Sequence, residues 1–377
     1  MGGVRKQVFA EDGPKHMMRS GSTGIEVDWD TEEHRRCVTA CLVKGTYVME
    51  HDRSPDHEAG ELAQAAGAGV SFNFRRRRDY ELEFACECVV CKTWQHVSGA
   101  RGRWFIYGAV FQYAPPGGEA GEPRRHPSAP SFIIAFRGTM PRDPTIFHDM
   151  RNNLSILVNR QHLCGRFVPA RAKVGELLRS LPVNGDGGGS SSAVVWLAGH
   201  SLGASIALDV GRDLMSTWGL NLPTFLFNPP HVSLAPVIGE DARRDVYTMG
   251  YMGKYLLGWA LQRHRDHMDE LFRELSPWVP NLYVHPDDPI CKGFIDYFEQ
   301  RERMQQRHPR LASAASLSYR DMVRSLFGKQ GERPHLIPSA MVWENRSRHG
   351  DGHGLWQWWE PEGSEKLMLS PKRYTWP

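Results

Sequence analysis

Five consecutive residues, Gly199-His200-Ser201-Leu202-Gly203, carry the strongest chemical signal in the chain. They set a serine between two glycines in a G-x-S-x-G pattern. Such a match is weak alone, and its surroundings strengthen it. A buried-strand pattern, AVVWLA at 193–198, runs into it, and a helical pattern at 204–215 leaves it. A serine on so tight a strand-to-helix turn presents its hydroxyl, and side chains at 199 and 203 would collide with neighbouring backbone. The start of the following helix then points amide donors at the reaction centre. The plainer alternative is a glycine turn around a buried serine.

A serine hydroxyl becomes a nucleophile when a base takes its proton and a third group orients the base. NLYVHPDDPI sets Asp287 and Asp288 just past a strand pattern, and the residues alone leave both open as the acid. The histidine must come later, from His308, His335, His349 or His353. His353 sits between glycines and ahead of an aromatic run, which suits an accessible imidazole on a loop with an apolar wall behind it. The oxyanion of a tetrahedral intermediate needs two amide donors. Leu202, after the serine, supplies one. FRGT at 136–139 ends the strongest early strand pattern, where Gly138 permits a close turn and Thr139 offers its amide and hydroxyl. Losing one such donor typically costs about 3 kcal/mol in the transition state.

The elements that must hold these residues alternate between strand and helix. Strand patterns fall at 103–113, 131–139, 193–198, 224–230 and 281–286, with a further short one at 336–343. Helical patterns fall at 31–50, 143–160, 168–182 and 204–215. Another, over 249–264, carries an apolar set at Met252, Tyr255, Leu256 and Trp259. That set would either line or cover an acyl pocket, or pack as an ordinary helix face. Alternating strands and helices predict an α/β fold with a central, mostly parallel sheet. Together with the G-x-S-x-G turn this is the α/β-hydrolase architecture. The organisation expected is a leader over 1–30, an extension over 31–100 packed on the core, the hydrolase domain over 101–362 and a tail over 363–377.

Composition narrows the function classes. The 377 residues are 41% hydrophobic, too apolar for a disordered chain. Lys plus Arg number 46 against 43 for Asp plus Glu, and a net charge of +3 gives no drive toward nucleic acid. Arg75 to Arg78 form an isolated basic run. Seven cysteines in a long chain do not read as a disulfide framework, which predicts a reducing, cytoplasmic setting. The first residues lack an apolar signal core, no stretch reaches the length of a membrane span, and Lys6 breaks the myristoylation pattern after Gly2. Cys86, Cys88 and Cys91 form a C-x-C-x₂-C cluster that would need a ligand from Cys37 or Cys41 to hold zinc, and apolar burial is the simpler reading. GDGGGSSS at 185–192 lacks the Lys-Ser/Thr of a phosphate loop.

The order FRGT, GHSLG, YVHPDDP resembles the class 3 lipases, the fungal-type triacylglycerol lipases and their plant relatives, over about residues 103–300. That family's acid lies in a pattern matched here by His285, Asp288, Pro289 and Ile290, so the resemblance selects Asp288. It also assigns the second oxyanion residue to Thr139. LIPSA at 336–340 and HGLWQWW at 353–359 are similar to the C-terminal segment of a plant group of lipase-like α/β-hydrolases often labelled GDSL esterases. This raises His353 above His349, although the chain has no GDSL block. The resemblance implies a serine hydrolase that cleaves carboxylic esters of acyl lipids through an acyl-enzyme, with no cofactor or metal. Peripheral contact with a membrane or lipid would accompany such a substrate, and the oligomeric state is left open. The resemblance also admits a catalytically silent member that acts as an interaction or signalling protein.

Overall fold

The computed structural model describes residues 13–17, 25, 27–52, 74–77, 82–84, 105–114, 126–138, 166–181, 195–231, 240–308, 313–326, 336–348 and 351–376. Helix α1 (Glu32–Asp52) comes first, with Glu32 and Glu33 in the turn where the helix dipole favours acids. The short strands β1 (Phe74–Arg76) and β2 (Leu82–Phe84) both pair antiparallel with β3 (Phe105–Tyr113). Strand β3 is in turn antiparallel to β4 (Phe132–Phe136).

From β4 onward the sheet is parallel. Strands β5 (Val195–His200), β6 (Thr224–Phe227), β7 (Asn281–Val284) and β8 (Ala340–Asn345) follow one another edge to edge. Strand β9 (Leu369–Tyr374) closes the far edge, antiparallel to β8. Between the strands run α2 (Phe167–Ser180), α3 (Leu202–Trp218), α4 (Glu240–Ala260), α5 (Gln262–Leu275), α6 (Lys292–Arg307) and α7 (Tyr319–Leu326). The nine described strands form a mixed, mostly parallel sheet flanked by helices that is α/β-hydrolase-like, as the alternation of patterns predicts.

The central strands are apolar on both faces, as parallel strands covered on both sides must be. Ile134, Phe136, Leu197, Leu226 and Leu282 point into one core, shared with α2, α3, α5 and α6. Ile133, Ala135, Trp196, Phe225, Phe227 and Tyr283 point into the other. The parallel strands lie side by side in chain order. Right-handed crossovers between such strands deliver their helices to a single face. The second face is therefore covered by other means: α1, and a 3-10 turn at Leu355–Trp359.

These two covers are joined to each other. Arg36, wholly buried on α1, donates from Nη1 to the Trp358 carbonyl at 2.6 Å and to the Glu360 carbonyl at 3.3 Å. Its charge is balanced by Glu32 at 3.7 Å and Glu33 at 4.0 Å. The Tyr283 hydroxyl donates to Glu32 at 2.6 Å, which pins the start of α1 to β7.

Two expectations change. The pattern over 249–264 is two helices, α4 and α5, separated at Leu261. Of its apolar set, Met252, Leu256 and Trp259 are exposed by 50%, 63% and 77%, so they neither pack on the core nor line an enclosed pocket. The packed side of α4 is instead Tyr251, Tyr255 and Gly258, where the absent Cβ leaves room for Leu317. The last parallel strand also begins four residues later than its pattern, after Pro338, which has no amide to give to a ladder. The expected helix at 143–160, Cys86, Cys88, Cys91 and Cys164 lie outside the described residues, as do most of the expected leader and Arg78.

Candidate active site

Ser201 is the single residue between the end of β5 and the start of α3. Its backbone has φ 54° and ψ −125°, a left-handed conformation for a residue with a side chain. Such strain costs on the order of 1–3 kcal/mol and persists where the surroundings enforce it. They do so through the two glycines. A Cβ on Gly199 would strike the Gly203 carbonyl, and a Cβ on Gly203 would strike the carbonyl of Phe136 on β4. The Ser201 amide donates to the Phe227 carbonyl at 2.9 Å, which ties the turn to β6. Leu202 is the first residue of α3, so its amide has no acceptor within the helix.

His353 Nε2 lies 3.0 Å from Ser201 Oγ, and His353 Nδ1 lies 2.8 Å from Asp288 Oδ2. All three residues are buried. Burial alone would raise the Asp288 carboxyl. The His353 imidazole and hydrogen bonds from His353, the Ile290 amide and the Cys291 thiol outweigh it and hold the carboxyl below its usual range. Asp288 therefore stays charged beside the imidazole, as an orienting group must.

The acid is held by a residue that sequence reasoning misses. Asn228 Nδ2 donates to Asp288 Oδ2 and to the Gly352 carbonyl, both at 2.8 Å. Its Oδ1 accepts from the Trp358 indole at 2.7 Å. Asn228 thus joins the acid, the histidine loop and the Trp turn. Its φ is 48°, a conformation asparagine tolerates better than most residues. The only sequence signal is its place directly after a strand, in FNPP. A second unanticipated group lies on the other side of the serine. His200 Nε2 meets the His353 carbonyl at 2.9 Å, and His200 Nδ1 meets the Tyr47 hydroxyl at 2.7 Å. The Gly138 amide donates to the same hydroxyl at 2.7 Å.

The structure brings Ser201, Asp288 and His353 together and leaves Asp287 and His308 outside the group. Asp287 is exposed, and its amide donates to His285 Nδ1 at 3.1 Å. His308 is exposed at the end of α6. Thr139, His335 and His349 lie outside the described residues. Cys37, Cys41 and Cys291 are free thiols, and burial pushes all three up, Cys37 to about 12, which leaves them unreactive. Among the described residues no cluster of His, Cys, Asp and Glu would hold a metal ion.

An Arabidopsis thaliana protein named GDSL esterase/lipase is 33% identical to the chain over 373 residues, covering 94% of this chain and 95% of the relative. The chain belongs to the GDSL esterase/lipase family. No protein-family model matches it, and no solved structure does. This family member carries its serine in G-x-S-x-G, with no GDSL block. Its membership of the GDSL esterase/lipase family and the Ser201, His353 and Asp288 geometry together support a serine-hydrolase mechanism.

Proposed function

We propose that the protein hydrolyses carboxylic esters of acyl lipids, with Ser201 as nucleophile, His353 as base and Asp288 as orienting acid. One observation carries this reading: the unbroken hydrogen-bond chain from Ser201 through His353 to Asp288. Ser201 Oγ attacks the ester carbonyl while its proton passes to His353 Nε2. The C=O π pair moves onto oxygen, and the amides of Leu202 and Thr139 hold that oxyanion. The intermediate collapses with cleavage of the C–O bond to the alcohol, which leaves with the proton from His353. A water then gives its proton to His353, attacks the acyl-enzyme and releases the acid, and Ser201 regains its proton.

The lipid character of the substrate rests on the relative's name, esterase/lipase. The exposed apolar residues of α4 agree with it, as they offer a surface for peripheral contact. No described helix is long and apolar enough to cross a membrane. Free buried cysteines at 37, 41 and 291 support a reducing, cytoplasmic setting.

A fluorophosphonate probe and a panel of esters test the proposal, from short nitrophenyl esters to phospholipids and galactolipids. Wild type is expected to label and to turn over lipid esters. Ser201→Ala should lose labelling and about 10⁶-fold in kcat. A folded wild type that does not label overturns the hydrolase reading in favour of a catalytically silent interaction protein. Turnover of short esters alone overturns the lipid assignment and leaves the serine chemistry standing.

A further inference from the structure

The hydroxyl of Tyr47, on α1, touches two segments of the site at once. It accepts from the Gly138 amide at 2.7 Å, and Gly138 directly precedes Thr139. It also lies 2.7 Å from Nδ1 of His200, the residue before the serine. A Cβ on Gly138 would lie 2.6 Å from this hydroxyl and 2.9 Å from Ser201 Cβ, so the end of β4, the phenol and the serine turn are in direct contact.

The proton positions follow from counting donors. The Gly138 amide can only donate, so the Tyr47 oxygen accepts from it. The His353 carbonyl can only accept, so the neutral ring must carry its hydrogen on Nε2, and the hydroxyl proton goes to the unprotonated Nδ1. His200 Nε2 donates to the His353 carbonyl at 2.9 Å. Burial lowers His200 to about 3, with nearby His353 adding to it, so the ring is neutral at ordinary pH and keeps this arrangement. Neither group touches the reacting atoms through these bonds. What they fix is the backbone on either side of the serine: the amide before Thr139, and the carbonyl of His353 itself.

We propose that Tyr47 and His200 are positioning residues that hold the oxyanion-binding end of β4 and the backbone of His353 in register with Ser201. The Gly138 amide is engaged by Tyr47, so it is withheld from the oxyanion. This rests on the ester-hydrolase reading. It adds that α1, far upstream of the nucleophile, is part of the catalytic apparatus.

Three variants of the full chain test it: Tyr47→Phe, which removes only the hydroxyl, His200→Leu, which removes both bonds of the ring, and His200→Gln, which keeps one donor and one acceptor. Hydrolysis of a nitrophenyl ester is measured with the affinity of an alkyl boronic acid, whose tetrahedral adduct on serine reports the oxyanion site. Tyr47→Phe and His200→Leu should lose about 10- to 100-fold in kcat, the scale of a misplacement near one ångström. KM should change by less than about threefold, because the interaction lost is made in the transition state. Boronate affinity should fall by the same factor as kcat/KM, and His200→Gln should recover most of the His200→Leu loss. Folding is checked by thermal melting, and if Tyr47→Phe does not fold, the His200→Gln and His200→Leu pair decides alone. The proposal is overturned if the folded variants keep kcat within threefold of wild type, or if glutamine is no better than leucine. Both results require an active wild type, which separates them from failure of the hydrolase reading. A folded wild type that neither labels nor hydrolyses overturns both.

Discussion

The two faces of the sheet are built differently. One is covered by α2, α3, α5 and α6, each lying in a connection between two neighbouring parallel strands. The other is covered by α1 and the Leu355–Trp359 turn, which contact each other across 322 residues. The first cover is a by-product of the crossovers, and it places the serine through the start of α3. The second has no such origin, and it carries the residues that finish the site. His353 leads directly into the Trp turn, Trp358 holds Asn228, and α1 brings Tyr47. The difference teaches that one face supplies stability, while the other couples stability to chemistry.

The largest effect is expected where that coupling is strongest. Trp358→Ala removes a side chain buried on the second face and leaves Asn228 Oδ1 without its indole donor. It should cost about 3–5 kcal/mol in denaturant unfolding. It should also lower kcat of the folded fraction, since Asn228 steadies both Asp288 and the histidine loop. Leu214→Ala is the matched change on the first face, at the far end of α3 from Ser201. It should cost about 3 kcal/mol with kcat per labelled site unchanged. Equal loss of kcat in both variants would erase the distinction between the faces.

A smaller change addresses the join between α1 and the sheet. Tyr283→Phe removes the hydroxyl that donates to Glu32, and about 1 kcal/mol of stability should go with it. Burial raises the Glu32 carboxyl, while Arg36 and Tyr283 pull it back, so the loss should shrink as pH falls and Glu32 becomes protonated. The last effect is a slope. His200 is held at about 3 in the folded chain, against an ordinary value of 6.5. Between those values the unfolded chain binds a proton at this residue that the folded chain does not. Its contribution is therefore complete above 6.5 and is lost as pH falls toward 3. Unfolding midpoints at pH 7.5 and 4.5 should separate less in His200→Gln than in wild type. Identical separations would show that His200 is not a buried neutral ring.

What could be read from the residues divides along the same line. The serine turn is legible because its steric demand is local: Gly199 and Gly203 exclude side chains that would meet backbone four or five residues away, or the adjoining strand. Strands β4 to β7 are legible as unbroken apolar runs, each within a few residues of its pattern. Asp287 and Asp288 are adjacent and chemically alike, so the residues alone leave both open; the family pattern selects Asp288, and folding exposes Asp287 and buries Asp288. Tyr47 and Asn228 leave almost no trace, since their partners lie 91 and 60 residues away and no period links them. The apolar spacing on α4 shows why periodicity is incomplete evidence. It identifies a side of the helix, but not whether that side faces the core or the solvent.

The bond from Arg36 to Trp358 also sets a schedule. A ribosome adds about 5–20 residues per second, so α1 emerges on the order of tens of seconds before the segment that must cover it. During that interval Cys37, Val38, Cys41 and Leu42 have the early strands to rest on, but not their final neighbours. Ser201 can likewise be synthesised and turned between β5 and α3 while its base does not yet exist. The nucleophile is thus inert on the nascent chain until His353, 152 residues further on, has been made.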